Sequence, residues 1–410
     1  MNKVAMIVWN EFLNDARVLK EAQTLHNAGY QVRVFALHTP GVTKEIETLE
    51  NGIEVQRIAR SPLWRWRKKT TSATNKVPIS QVPQHKSSSR ILILRAIARL
   101  WTHLGLMLAI LRYRPTVIHS HDVNTLPTGF LASKLSRSLL VYDAHEISTS
   151  REGYRNLRNL VGIIEKALMP RAHGTITTTT ARAKFFARAY GINRPVVLQN
   201  RPRLTITKRT NKIRDELSLV NDWPIVLYQG GLQQGRGLEK LVRTAIQVSN
   251  CYFVFIGGGR LTAQLKDLRD THELHERVHF IPTVALSDLP AYTASADIGV
   301  QPIENTCLNH YTTDSNKLFE YIIAGLPVIA TDFPEIRKIV RDGQVGLLVP
   351  PGSEDELAKA ISLLAENTDL RQHYSRKAID SASALNWETQ ESLLSNMYSR
   401  ILKEHSCKAS

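Results

Sequence analysis

A chain of 410 residues exceeds what one hydrophobic core usually holds, so two domains are expected. Its three cysteines, Cys251, Cys307 and Cys407, have neither paired metal spacing nor a catalytic context, which excludes a disulfide scaffold and argues for a reducing cytoplasm. No leader is read ahead of the first strand and no run of about 18 apolar residues could span a bilayer, while 53 Lys and Arg against 37 Asp and Glu give a net charge of +16.

In chain order, Lys3 to Trp9 reads as a buried strand, Asp15 to Ala28 as a helix closed by Gly29, and Gln31 to Leu37 as the next strand: the opening of a doubly wound sheet. The first turn lacks glycine. Asn14, Asp15 and Arg17 fall above the carboxyl end of the first strand, where open α/β sheets bind ligands, and Asn14 serves equally well as a helix cap.

From Ser61 to Arg90 there are seven Lys or Arg and no acid, with Trp64 and Trp66 among Ser, Thr, Gln and Pro, which reads as a mobile basic loop. A helical pattern follows, flanked by Arg90, Arg95, Arg99, Arg112 and Arg114. Cations with tryptophans suit the headgroup layer of an anionic membrane; a solvated basic insertion beside a core helix fits the same residues.

Two further strands end in polar clusters, TVIHSHDVNTLPTG with His119, His121 and Asp122, and LLVYDAHEIST with Asp143, His145 and Glu146. His119, His121, Asp122 and His145 are metal-ligand types, but H-x-H-D lacks the partner spacing of zinc motifs, and no metal is expected. The domain break is read at Val196 to Leu204, where a strand gives way to proline and arginine.

Beyond it, Pro224 to Tyr228 is a buried strand and Leu238 to Val248 an amphipathic helix. Between them Gly230, Gly231, Gly235 and Gly237 allow backbone N–H groups close to a phosphate, and Arg236 adds a guanidinium able to grip two of its oxygens. A plain strand-to-helix turn has the same composition. Asn316 to Gly325 is a short helix and Pro327 to Ala330 a strand, so Lys317 and Glu320 share a helical face at i and i+3. Glu320 suits a pair of ribose hydroxyls; the two are also an ordinary surface ion pair. Glu354 to Glu366, Asp369 to Ser381 and Trp387 to Lys403 carry helix-period apolar residues.

The order YQGGLQQGRGLEKL, FIGGG, HFIP, ADIGVQP, SNKLFEYIIAGLPVIATD and GLLVPPGSEDELAKAI, over roughly residues 220 to 366, resembles the donor domain of the retaining family 4 glycosyltransferases, of GT-B architecture. WNEFLNDARVLKEAQTLHNAGYQVRVFAL resembles the opening of relatives with an N-D-x-R turn. The resemblance implies two Rossmann-like α/β domains facing a central cleft: residues 1–200 for the acceptor, carrying the basic loop 61–90, residues 201–385 for a nucleotide-sugar donor, and 386–410 returning to the first.

By the same resemblance His121, Arg236 and Lys317 are catalytic, His121 through a donor-sugar hydroxyl and Arg236 through the leaving diphosphate. Gly230, Gly231, Gly235, Gly258, Gly259, Asn316 and Glu320 bind the donor, Glu320 as the second glutamate of E-x7-E. Asn14, Asp15, Arg17, His145 and Glu146 lie on the acceptor side, and Asn200 marks the hinge. The first glutamate is replaced by Thr312, which leaves the donor sugar open.

The implied reaction is glycosyl transfer with retention, without cofactor or essential metal, from a UDP- or GDP-linked sugar to a hydroxyl of a sugar or lipid-linked acceptor. Cell-envelope polysaccharide or glycolipid synthesis at the inner face of the membrane is the expected setting. A GT-B sugar-nucleotide epimerase, or a basic protein binding nucleic acid or another anionic polymer, are the alternatives; a pI near 9.8 favours the latter, but no nucleic-acid module is present and no nucleic-acid partner is expected.

Overall fold

The computed structural model describes residues 1–60, 89–205 and 207–409; most of the basic loop, with Trp64 and Trp66, lies outside the described residues. Strands β1 (Lys3–Ile7), β2 (Gln31–His38), β3 (Ile46–Thr48), β4 (Glu54–Ala59), β5 (Val117–His121), β6 (Leu139–Ala144), β7 (Gly174–Thr177) and β8 (Val196–Val197) form one sheet in the order β3-β4-β2-β1-β5-β6-β7-β8. All its pairings are parallel except β3 with β4. Strands β9 (Ile225–Gln229), β10 (Tyr252–Ile256), β11 (Val278–Ile281), β12 (Ile298–Gln301), β13 (Val328–Thr331) and β14 (Gly346–Val349) form a second, wholly parallel sheet in the order β11-β10-β9-β12-β13-β14.

Both sheets are covered on both faces, which is why their strands read as continuous apolar runs. Val4, Met6, Val34 and Val141 pack under helix Ala16–Asn27, whereas Ala5, Ile7, Phe35 and Leu140 pack under helices Ser89–Tyr113 and Asp122–Ser136. The sheet order reverses next to β1 in the first domain and next to β9 in the second. Each reversal opens a crevice at the carboxyl ends of the strands, and the two crevices face each other.

The last helix, Glu388–Ala409, packs on the first domain: Trp387, Leu394, Met397, Tyr398 and Ile401 join the core that holds Val4 and Val18. Its return crosses the domain boundary beside the first crossing, where the Trp387 amide donates to the Pro202 carbonyl at 2.8 Å. Lys20 ties the first helix to this double connection, donating to Asn200 Oδ1 at 2.9 Å and to the Arg201 carbonyl. The indole N–H of Trp387 reaches Thr24 Oγ1 at 3.0 Å.

Candidate active site

The cleft between the domains has a volume of about 810 Å³. Asn14, Asp15, Arg17, His145 and Glu146 line one wall, and Gly230, Arg236, Asn316, Lys317 and Glu320 the other. Ten of the expected site residues therefore meet in one space, contributed by segments spread from Asn14 to Glu320.

On the second-domain wall, the turn after β9 rises over helix Leu238–Gln247. Two glycines here are required by close approach. Gly237 has φ +71° and a Cβ on it would lie 2.0 Å from the Pro302 carbonyl oxygen; Gly257 has φ +138° and a Cβ would meet the Gly230 carbonyl oxygen at 2.1 Å. The two glycine loops are laced together by Gly230 N–H to Ile256 O at 2.9 Å and Leu232 N–H to Gly258 O at 3.1 Å. Much of the glycine signal thus comes from loop-on-loop packing, and Gly231, Gly235, Gly258 and Gly259 are not part of the cleft lining.

Arg236 makes no hydrogen bond or ion pair with another described residue, so its guanidinium is available to an anion in the cleft. Lys317 is buried beside it: burial, then the nearby Arg236 charge, lowers its pKa from 10.5 to about 7, against the pull of Glu320. Its Nζ lies 5.0 Å from the centroid of the Tyr228 ring. Ser315, at φ +50°, starts helix Asn316–Ile323 without a side-chain cap, so the free N–H groups of that helix end open at the cleft wall. Glu320 is positioned by Gln229, whose Nε2 donates to Glu320 Oε2 at 2.6 Å while its Oε1 accepts from Thr293 Oγ1 at 2.8 Å.

Charge on the opposite wall is organised around Asp143, at the end of β6. Arg17 grips it twice, Nε to Oδ2 at 2.9 Å and Nη2 to Oδ1 at 3.0 Å, and also donates to the Leu198 carbonyl at 2.7 Å. The Arg17 guanidinium is therefore committed to joining β6 to the hinge, and what it gives the cleft is position. Asp15, not Asn14, is the helix cap, accepting from the Val18 amide at 3.2 Å, and a second bond comes from Asn10 at 2.8 Å. Asn14 is left in the loop that faces the cleft.

His145 Nε2 lies 2.9 Å from Asp143 Oδ2. Burial opposes charge on this ring, but Asp143 and then Asp122 outweigh it and push the pKa from 6.5 up to about 9. Asp143 itself is held well below the usual carboxylate range by Arg17 and His145, against its own burial.

His121 lies one layer beneath. Its Nδ1 is 3.2 Å from His145 Nε2, its ring stacks on His119 at 4.3 Å, and it is absent from the cleft lining. Burial lowers its pKa and keeps it neutral at pH 7. His119 in turn meets the hydroxyl of Tyr398 at 2.9 Å, connecting the returning helix to the site floor. Glu21, His119, His121 and Asp143 bring possible ligand atoms within 4.8 Å of one another. Arg17 Nε lies 3.0 Å from Glu21 and 2.9 Å from Asp143, so the cation between those carboxylates is a guanidinium, and a dication would have to displace it.

Three residues were not legible as site groups. Arg182, buried on helix Thr180–Tyr190, donates to the His145 carbonyl at 2.6 Å, the Asn309 carbonyl at 3.1 Å and Thr312 Oγ1 at 3.3 Å, stitching the domains together. Asp314 lines the cleft, is raised in pKa by burial and accepts from Gln199 Nε2 at 2.8 Å. Lys20, lowered to about 7 by burial and then Arg17, borders a smaller apolar-walled cavity of about 330 Å³ next to Glu320 with Leu286, Leu289 and Pro290. Only their contacts 37 to 181 positions away reveal them, apart from the charge of Asp314 six residues before Glu320.

Residues 15–201 match a family described as Glycosyl transferase 4-like domain, and residues 223–367 one described as Glycosyl transferases group 1. Each domain is thus similar to a glycosyltransferase family. Among curated relatives, the D-inositol 3-phosphate glycosyltransferase of Nocardia farcinica is 24% identical over 72% of this chain and 68% of its own. The alpha-D-kanosaminyltransferase of Streptomyces kanamyceticus is 26% identical, but over only 42% of this chain and 43% of its own length. The solved sucrose-phosphate synthase of Thermosynechococcus elongatus superposes with a TM-score of 0.80 at 19% identity, covering 98% of this chain and 100% of that one. Anabaena Alr3699/HepE in complex with UDP-glucose gives 0.74 at 17%, with the same coverage. The two facing parallel-sheet domains are a GT-B fold.

Proposed function

We propose that the protein transfers a glycosyl group from a nucleoside diphosphate sugar to an acceptor hydroxyl with retention of configuration. The observation that carries this reading is the pairing of an unengaged Arg236 with a buried Lys317 and an uncapped helix end on one wall, beside Glu320. That arrangement fits a ribose followed by two phosphates: Glu320 accepts from ribose hydroxyls, and Arg236, Lys317 and the helix amides take up charge as the diphosphate leaves. Electrostatic stabilisation of this kind needs no metal, and none is proposed.

The acceptor enters along Asn14 and Glu146. His145, held as a cation by Asp143, faces the sugar from the acceptor side, and His121 supports it from below. In this reading the acceptor attacks from the face the diphosphate leaves, and the departing phosphate takes the hydroxyl proton. The two connections joining the domains allow closure that keeps water from the donor. UDP- and GDP-sugars are the proposed donors, UDP being the nucleotide in the Anabaena neighbour's complex, and the acceptor is a sugar or lipid-linked sugar of the cell envelope.

A thermal-shift and hydrolysis screen over UDP-, GDP-, ADP- and dTDP-sugars tests the reading, because a ligand bound only by the native state raises its stability. Stabilisation and slow hydrolysis by one nucleotide class support it; indifference to all four contradicts it.

A further inference from the structure

Helices Ser89–Tyr113, Asp122–Ser136 and Arg158–Leu168 form one layer over the first sheet, with Leu106, Ile110 and Leu126 in its core. The outward side of that layer is unusually apolar. Ile97, Leu100, Trp101, Leu104 and Leu108 are exposed on the first helix, Leu131 and Leu135 on the second, and Leu160 and Ile163 on the third; Leu100, Leu135 and Ile163 keep 69%, 65% and 67% of their surface. The layer on the other face of the same sheet, helices Ala16–Asn27 and Glu388–Ala409, exposes Leu393 as its one large apolar side chain among the described residues. Isolated exposed apolar side chains are ordinary, but nine large ones on adjacent helices constitute a surface that water alone does not favour.

The charge on this layer has one sign. Helix Ser89–Tyr113 has no acidic residue in its sequence. The only acid of Asp122–Ser136 is Asp122, which is paired with Arg151 at 3.2 Å, and the only acid of Arg158–Leu168 is Glu165, which is fully buried. Lys134, Arg137, Arg158 and Lys166 are exposed around the leucines with no ion pair among the described residues.

We infer that this three-helix face docks the protein on an anionic lipid bilayer, the leucines, isoleucines and Trp101 entering the acyl boundary while the four cations meet lipid phosphates. Charge complementarity selects lipid over a second copy of this chain, which would bring the same cations together. No helix among the described residues is long and apolar enough to cross a membrane, so the attachment is peripheral. This inference goes beyond the transfer reaction and does not depend on it.

Flotation of the full chain with vesicles of phosphatidylglycerol and phosphatidylcholine, against phosphatidylcholine alone, tests it. The wild type is expected to float with the anionic vesicles and at least tenfold less with the neutral ones. Leu100→Ser with Leu104→Ser and Leu135→Ser, and separately the glutamine changes at Lys134, Arg137, Arg158 and Lys166, are each expected to lower the bound fraction about tenfold. All these side chains are exposed, so melting temperature and donor hydrolysis should stay at wild-type values. Wild-type protein that does not bind anionic vesicles, or binding that neither variant weakens, would overturn the inference. So would light scattering that shows a dimer made monomeric by the serine changes, since a second copy would then be the cover.

Discussion

Arg182 and Thr312 meet across the domain boundary, the guanidinium Nε of one donating to the hydroxyl of the other at 3.3 Å. Thr312, expected from the family resemblance to replace the first glutamate of E-x7-E, is buried in the interdomain seam, where its carbonyl also accepts from Thr179 Oγ1 at 3.0 Å. Two residues further on, Asp314 lines the cleft.

Arg182→Ala should destabilise the protein by about 1.5–3 kcal/mol, because buried carbonyls of His145 and Asn309 lose a charged donor. Denaturant unfolding measures this; a loss below about 0.5 kcal/mol would show that the seam contributes little.

Asp314→Asn is expected to reduce transfer more than nucleotide affinity, since Asp314 lines the cleft but is engaged by Gln199 at the domain boundary. Unchanged turnover with saturating donor would remove Asp314 from the site.

Lys317 couples donor binding to protons. Its folded pKa near 7 lies below the unfolded 10.5, so between those values the unfolded chain holds more protons and stability rises with pH. An arriving diphosphate favours the charged amine, so binding near pH 8 should take up protons and weaken as pH rises. Calorimetry in buffers of different ionisation heat reads the uptake, and Lys317→Met should abolish it; uptake that persists in the variant would assign it elsewhere.

His145 should titrate near pH 9. Its raised pKa contributes stability that is complete below the unfolded value of about 6.5 and lost as pH climbs through 9. Asp122→Asn should lower that pKa by removing one of the two carboxylates behind it. Imidazole NMR follows both, and a midpoint near 6.5 in the wild type would mean that Asp143 does not hold the ring charged.

The fold was legible because buried parallel strands alternate with amphipathic helices in this chain, and the position of Lys317 and Glu320 on one helix was fixed by local spacing. The wall opposite was legible only as polar residues at strand ends. That Arg17 is consumed by Asp143, that His121 lies under His145 and that Asp15 caps the first helix depend on contacts and backbone angles to which no sequence period corresponds. Arg182 and Lys20 were missed for the same reason. Each looks like one more cation on a helix until the chain folds and buries it against carbonyls far along the sequence.

The central claim is that Arg236 stabilises a nucleoside diphosphate as it leaves from the wall where Glu320 holds the ribose. The most direct measurement is single-turnover release of nucleoside diphosphate from the preferred donor, with its affinity measured separately, in wild type, Arg236→Ala and Glu320→Ala. Arg236→Ala should slow release about 10²–10³-fold while affinity changes only a few-fold, and Glu320→Ala should weaken the free nucleotide by about 1.5–3 kcal/mol. Release at the wild-type rate in Arg236→Ala, together with unchanged nucleotide affinity in Glu320→Ala, would contradict the account.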